Sequence, residues 1–311
     1  MIYLEEIKKL MYMKKPLVSI ITNTLNRSDL IHRCIESIQK QTYQNYEHII
    51  ADGSDNEETK KVVLSYKDPK IKYVHVPSGG PVIQTRTAFE MSGGDYITFL
   101  DDDDEYLPEK LEKQLNLIQS LPEDYGFIYG SMTYYDYDTN EQLRIHEASY
   151  SGEGLLPLAI SKPIICGTPT LMFRRNVFES IGGTWISGIG NEMSDWALVC
   201  KALSQGWKVG SLKESYLRIY VNHGGMRMSD SHFYKNHTER YIKFHMHFLS
   251  TYDNIFKQNP KLAYYHYYNL CRYYTALKDR KNAWKYWKLY MNTMPNLKHT
   301  IKSFIGVLIL K

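Results

Sequence analysis

Four consecutive aspartates, Asp101-Asp102-Asp103-Asp104, directly follow the apolar run Tyr96-Ile-Thr-Phe-Leu100. Adjacent carboxylates repel, and each ionised neighbour disfavours ionisation of the next. At the end of a buried strand that crowding is costly unless a cation neutralises it. Hard oxygen donors favour Mg²⁺ or Mn²⁺, ions that bridge phosphate oxygens. The alternative is a solvated acidic loop capping the helix that begins at Pro108. Two further polar clusters end apolar runs in the same way: Thr22-Asn-Thr-Leu-Asn-Arg27 and Asp52-Gly-Ser-Asp55.

These clusters need elements to position them. Residues 17–21, 46–51, 71–76 and 96–100 read as strands, the first and last as short apolar runs. Helical spacing appears over 28–41, where Leu30, Ile31, Cys34, Ile35 and Ile38 share a face, with Ser28 or Asp29 as N-cap. Further helices are expected over 57–66, 82–91 and 108–119. Such alternation with short links predicts an α/β fold, a mostly parallel sheet with helices on both faces. Ligands then gather at the carboxyl ends of the strands, where the three polar clusters lie.

The order of segments resembles one known family. Val18-Ser-Ile-Ile-Thr-Asn-Thr-Leu-Asn-Arg27, Gln41-Thr42-Tyr43, Asp52-Gly-Ser54, Gly93-Gly94-Asp95-Tyr96-Ile97 and Phe99-Leu-Asp-Asp-Asp-Asp104 together resemble family 2 of the inverting glycosyltransferases, over about residues 16–225. The resemblance implies a GT-A fold and sugar transfer from a nucleotide-sugar, expected to be a UDP-sugar, to a glycan or lipid-linked acceptor with Mn²⁺ or Mg²⁺. It assigns Thr22, Leu25, Asn26 and Arg27 to the nucleotide pocket and Asp52 to the pyrimidine N3–H, against the alternative of an Asx turn. Gly79, Gly80 and Arg86 match the segment closing over the nucleotide, with Arg86 facing diphosphate or lying as an exposed helix cation. Asp101 matches the nucleotide-sugar contact, Asp103 the principal metal ligand and Asp104 its close support. Asp102 occupies the variable position within the nucleotide-binding run.

Further along, Ser194-Asp195-Trp196 resembles the acceptor-side segment, which usually reads Glu-Asp before an aromatic. Serine replaces the glutamate here, leaving Asp195 as the general base and Glu192 as a substitute for the missing acid. Asp195 as N-cap of a helix over 196–204 is the competing reading. Arg218-Ile-Tyr-Val-Asn-His223-Gly-Gly-Met-Arg227 resembles a later segment in which His223 completes the metal shell and Arg218 and Arg227 face phosphate. Sugar choice is assigned to residues around 166–170 and 185–191.

The chain of 311 residues divides by charge. Residues 1–230 hold 24 Lys/Arg against 31 Asp/Glu, a net of −7, and residues 231–311 hold 14 against 3, a net of +11. We therefore expect a leader over 1–15, a GT-A domain over 16–230 with a nucleotide half (16–105) and an acceptor half (106–230), and a basic, Tyr-rich helical region over 231–311. Helices are expected there over 232–250, 260–278 and 281–292, the last two as one tetratricopeptide-like pair. The basic region suits an anionic membrane surface; no nucleic-acid motif accompanies it. Four separated cysteines without a CxxC pair fit a reducing cytoplasm. The leader is too charged for a signal peptide, and no apolar run is long enough to span a bilayer. The expected location is the cytoplasm, peripheral at the inner face of the plasma membrane. A sugar nucleotidyltransferase would carry a glycine-rich phosphate loop where Thr22 to Arg27 stand, and a non-catalytic nucleotide- or glycan-binding module would not need Asp101, Asp103 and Asp195 together.

Overall fold

The computed structural model describes residues 15–77, 80–165, 167–183, 194–222 and 238–293. They fall into two compact units that interleave along the chain. The first comprises residues up to 153, 167–185 and 205–223; the second comprises 154–166, 186–204 and 224 onward. Residues 154–166 and 186–204 thus cluster with the basic C-terminal helices, where the sequence pattern places them in the domain 16–230.

The first unit is built on a sheet that opens with β1 (Val18–Thr24), α1 (Ile31–Gln39), β2 (Tyr46–Asp52), α2 (Glu58–Ser65), β3 (Ile71–His75), α3 (Gly80–Met91) and β4 (Tyr96–Phe99). It continues through β5 (Glu105–Tyr106), α4 (Lys110–Ser120), β6 (Tyr125–Asp136), β7 (Gln142–His146), β8 (Leu171–Arg174), α6 (Arg175–Ser180) and β9 (Lys208–Val221). The helices α5 (Leu156–Ser161) and α7 (Ser194–Ser204), which interrupt this order, belong to the second unit.

Strand order is β3-β2-β1-β4-β8-β6-β9-β5, with β7 beside β6. The first four strands are parallel, as alternation with helices requires. Beyond β4 the sheet is mixed. β8 runs antiparallel to both β4 and β6, β6 is parallel to β9, and β5 and β7 pair antiparallel. The expectation of a mostly parallel sheet is corrected here. Burial patterning reads which residues face the core but not chain direction, which the connections decide.

Other boundaries move by a few residues. β1 runs on to Thr24 because Thr22, Asn23 and Thr24 pair with Ile50, Ala51 and Asp52. α1 begins at Ile31 rather than at Ser28, with Leu30 as N-cap and no side-chain cap. Ile31 and Ile35 still pack with Ile50 and Val63 in one buried cluster, so the helix face was legible although its start was not.

Four hydrogen bonds fix β4, the strand that ends in the acid run. Gly94 N–H donates to Ser19 Oγ (2.9 Å), and Asp95 N–H to Leu17 O (2.7 Å). A Cβ on Gly94 would lie 2.4 Å from Ser19 Oγ and 2.6 Å from Ser19 N, so only glycine allows this approach. On the other side, buried Lys110 donates to Thr98 Oγ1 (2.9 Å), which itself donates to Leu171 O (2.7 Å). The Lys110 ammonium also sits 3.7 Å from the Tyr106 ring centroid, and burial holds its pKa well below the usual lysine range.

The second unit holds α5 and α7 and four further helices: α8 (Thr238–Thr251), α9 (Asp253–Gln258), α10 (Tyr264–Ala276) and α11 (Arg280–Thr293). α10 and α11 pack together and are joined by a turn at Lys278, whose φ of 59° is left-handed. Leu270, Cys271, Ala283 and Tyr286 pack in their shared core with Tyr241 and Ile242 of α8. α9 was not anticipated; its six residues are too short for a periodic signal.

Gly94→Ala is expected to destabilise the protein by about 3 kcal/mol, because the clash is with backbone as well as a side chain. Gly93→Ala, where the nearest atom to an added Cβ is Glu47 Oε1 at 4.0 Å, should cost about 1 kcal/mol or less. Urea titrations of the two variants check this; equal midpoints would contradict it.

Candidate active site

The carboxyl ends of β1, β2 and β4 bring Arg27 and the acid run together. Arg27 donates to Asp102 Oδ1 at 2.9 Å and lies 3.3 Å from Asp103 Oδ2. Asp102, Asp103 and Asp104 are buried, whereas Asp101 is exposed. One carboxylate oxygen from each of Asp101, Asp103 and Asp104 lies within 4.8 Å of the others. Three hard oxygens converging on one point form a donor set for a divalent cation, so these residues fit the expected metal.

Asp102, at the variable position of the run, is buried. Burial pushes its carboxyl up to about 6, against the opposing pull of Arg27, and the neighbouring Asp103 adds to the rise. The same guanidinium is held cationic by Asp102 and Asp103 in spite of its own burial. Asp104 is tied to the far side of the sheet: its Oδ1 accepts from Tyr220 N–H at 3.0 Å, near the end of β9. Pairing of β5 with β9 sets this register, with Glu105 opposite Arg218.

The turns after β1 and β2 are bound to one another. Asp52 is fully buried; its Oδ1 accepts from Ser54 N–H (2.8 Å) and its Oδ2 from Tyr73 O–H (2.8 Å). The Asx turn weighed for this residue is therefore formed. Ser54 Oγ in turn accepts from Asn26 N–H at 2.7 Å. Asn26 has φ 53°, a left-handed conformation that asparagine tolerates better than most residues. Leu25, beside it, is exposed.

One residue that sequence reasoning missed holds this junction. Buried Gln84 on α3 donates to Thr24 O (2.9 Å) and Ala51 O (3.0 Å), stapling the ends of β1 and β2. Its only sequence signal is spacing: Gln84 and Ala88 are four apart on a helix and both buried. A Cβ on Gly53 would meet Gln84 Nε2 at 2.9 Å, which explains the glycine in Asp52-Gly-Ser54.

Several expected residues lie elsewhere. Thr22 is fully buried, and its hydroxyl is 2.9 Å from His48 Nε2 and 3.5 Å from Cys34 Sγ, so its side chain faces the core rather than a ligand. Arg86 is exposed and pairs with Glu90 one helical turn on (2.9 Å), the exposed-cation alternative. Arg218 lies 3.5 Å from Glu105 and 5.0 Å from the Tyr135 ring centroid, on the strand β9 that pairs with β5. Asp195 belongs to the second unit, in the first turn of α7, where its Oδ1 accepts from Trp196 N–H at 2.8 Å. It is inside the helix rather than at an N-cap before residue 196. Gly79, Glu192, His223 and Arg227 lie outside the described residues, as do 184–191 and Cys166.

The Asp102 shift carries a pH dependence. Its folded pKa lies above the unfolded carboxylate value of about 3.9, so its contribution favours the metal-free fold at low pH and is lost as pH rises through about 6. A cation beside it reverses this penalty by favouring the ionised form. Mn²⁺ affinity should therefore rise roughly tenfold between pH 5 and pH 7. Calorimetric titration across that range checks it, and a flat profile would contradict it.

The chain is similar to known proteins. The family model "Glycosyl transferase family 2" matches residues 19–182. The putative colanic acid biosynthesis glycosyl transferase WcaA of Escherichia coli K12 is 29% identical over 249 residues, covering 73% of this chain and 83% of that protein. Uncharacterised glycosyltransferases of Rickettsia species also match, and the chain spans between 19% and 53% of their length. Among solved structures, Staphylococcus aureus TarS 1–349 in complex with UDP-GlcNAc aligns with a TM-score of 0.58 at 16% identity, over 89% of this chain and 88% of that one. The mannosyltransferase PcManGT from Pyrobaculum calidifontis, in complex with GDP-Man and Mn²⁺, aligns with a TM-score of 0.59 at 17% identity, over 99% and 87%. At such identities the structural likeness establishes the fold, which is the expected GT-A type. With the family model spanning more than half of the chain, this protein belongs to glycosyltransferase family 2 and is a glycosyltransferase.

Proposed function

We propose that the enzyme transfers a sugar, with inversion, from a UDP-sugar to a glycan or lipid-linked acceptor during synthesis of a bacterial surface polysaccharide, and that transfer needs Mn²⁺ or Mg²⁺. The observation that carries this reading is the convergence of Asp101, Asp103 and Asp104 at the end of β4. The Mn²⁺ and nucleotide-sugar complexes of the two structural neighbours support it, as does the colanic acid assignment of the Escherichia coli relative.

In this reading Asp103 and Asp104 would hold the cation from buried positions, with exposed Asp101 beside them at the donor side of the same cluster. When bound, the cation supplies positive charge for the diphosphate leaving group. Arg27, already charged and fixed by Asp102, adds a second positive group at the same strand ends. The left-handed turn at Asn26 and exposed Leu25 form the rim of the base pocket, and Asp52 holds its floor by fixing the Ser54 turn. Asp195 takes the proton from the acceptor hydroxyl as that oxygen bonds to the anomeric carbon. The bond from that carbon to the diphosphate oxygen breaks on the opposite face, and its electron pair leaves with the nucleoside diphosphate.

The basic second unit suits an anionic membrane surface. On α11, exposed Lys281, Lys285 and Lys288 are spaced four and three apart and so share a face, with exposed Arg272 and Lys278 nearby in sequence. No helix of the described residues is long and apolar enough to cross a membrane.

A screen of nucleotide sugars with Mn²⁺, scored by released diphosphate, tests the reading. With the accepted donor, Asp103→Asn should lower kcat/KM by about a hundredfold or more and remove the heat of UDP binding with Mn²⁺. Asp195→Asn should lower kcat by a factor on the order of 100 to 10,000 while UDP and Mn²⁺ still bind. Full turnover by Asp195→Asn would eliminate the base assignment.

A further inference from the structure

The second unit contains two buried histidines that the proposed chemistry does not use. His266 Nε2 lies 2.7 Å from Ile160 O, and His266 Nδ1 lies 2.9 Å from His245 Nδ1. A carbonyl only accepts, so Nε2 of His266 carries the proton and its Nδ1 is an acceptor. His245 must then donate from Nδ1. The result is a directed chain, His245 to His266 to Ile160 O, that requires His266 to be neutral. Burial enforces that state, lowering His266 to about 4 and His245 well below the usual range.

This chain is joined to the helix turn that carries Asp195. The Trp196 ring stacks on His266 with centroids 5.3 Å apart and planes 22° from parallel. Trp196 Nε1–H donates to Ala159 O at 2.5 Å. Trp196 and His266 therefore satisfy consecutive carbonyls, Ala159 and Ile160, at the end of α5, where a helix leaves carbonyls without internal partners. Phe244 and Phe248 of α8 pack against the same indole, with centroids at 5.3 and 4.8 Å. Trp196 is thus clamped on several sides, and Asp195 is the preceding residue with its carboxylate on the Trp196 N–H.

We infer that His266, oriented by His245, is a positioning residue for Asp195: it fixes the Trp196 ring and with it the first turn of α7. The basic C-terminal helices then serve turnover directly, through α8 and α10, besides any surface role. This rests on the reading of Asp195 as the general base.

A double-mutant cycle tests it. His266→Ala should lower kcat on the order of tenfold, with the donor KM and the calorimetric affinity for UDP with Mn²⁺ unchanged. His266→Gln, whose amide can still donate to Ile160 O, should recover part of the loss. If His266 acts through Asp195, its effect is non-additive, and His266→Ala combined with Asp195→Asn is no slower than Asp195→Asn alone. His245→Leu, which keeps the His266 stack but removes its donor, should give a smaller loss with the same non-additivity, and serves if His266→Ala does not fold. Additive losses, or an unchanged kcat in the folded variants, would overturn the inference alone. Normal turnover by Asp195→Asn would remove the base reading and the inference with it.

Discussion

The crowding of carboxylates at the end of β4 is the constraint around which the first unit is organised. Three of the four acids are buried, and burial, with the neighbouring Asp103 adding to it, pushes Asp102 up to about 6 against the pull of Arg27. Such a cluster persists only because its surroundings fix it from several directions. Gly94 brings the β4 entry against β1, Lys110 and Thr98 lock the strand to its neighbour, Arg27 meets Asp102 and Asp103, and β9 reaches Asp104 through Tyr220. Each contact costs something locally: a glycine, a buried lysine, an arginine withdrawn from solvent. Together they hold mutually repelling groups in a shape that a divalent ion and diphosphate can complete.

The second organising feature is the coupling of loops that lie far apart in sequence. Asp52 holds Ser54, Ser54 holds Asn26, and Gln84 staples the strand ends beneath them. The ends of β1 and β2 are thereby assembled from backbone turns whose geometry is fixed by buried side chains. Polar residues in the sequence motif accordingly divide into two kinds. Some, such as Thr22 and Asp52, build the floor, and others, such as Asp101, stand at the surface.

That division explains what the sequence could and could not reveal. Apolar runs followed by polar clusters identified the first four strands and the acid site, because burial and charge leave marks in composition. Strand direction beyond β4 left no such mark, so the mixed half of the sheet was not legible. Residues that act through one or two specific hydrogen bonds were also invisible: Gln84, Tyr73 and, by its backbone N–H, Tyr220 look ordinary until their partners are placed. Arg86 and Arg218 misled for the converse reason. A cation near a phosphate-binding motif invites a ligand role, yet Glu90 and Glu105 already lie within ion-pair distance. The buried His245–His266 pair carried no motif at all, since its members are 21 residues apart on different helices.

The most direct test of the metal-centred account is anomalous diffraction at the manganese edge from crystals grown with Mn²⁺ and UDP. The account expects one strong peak within coordination distance of carboxylate oxygens of Asp103 and its neighbours Asp101 and Asp104, with the UDP diphosphate on its open side. A manganese peak elsewhere, or diphosphate bound with no ion beside these aspartates, would contradict it.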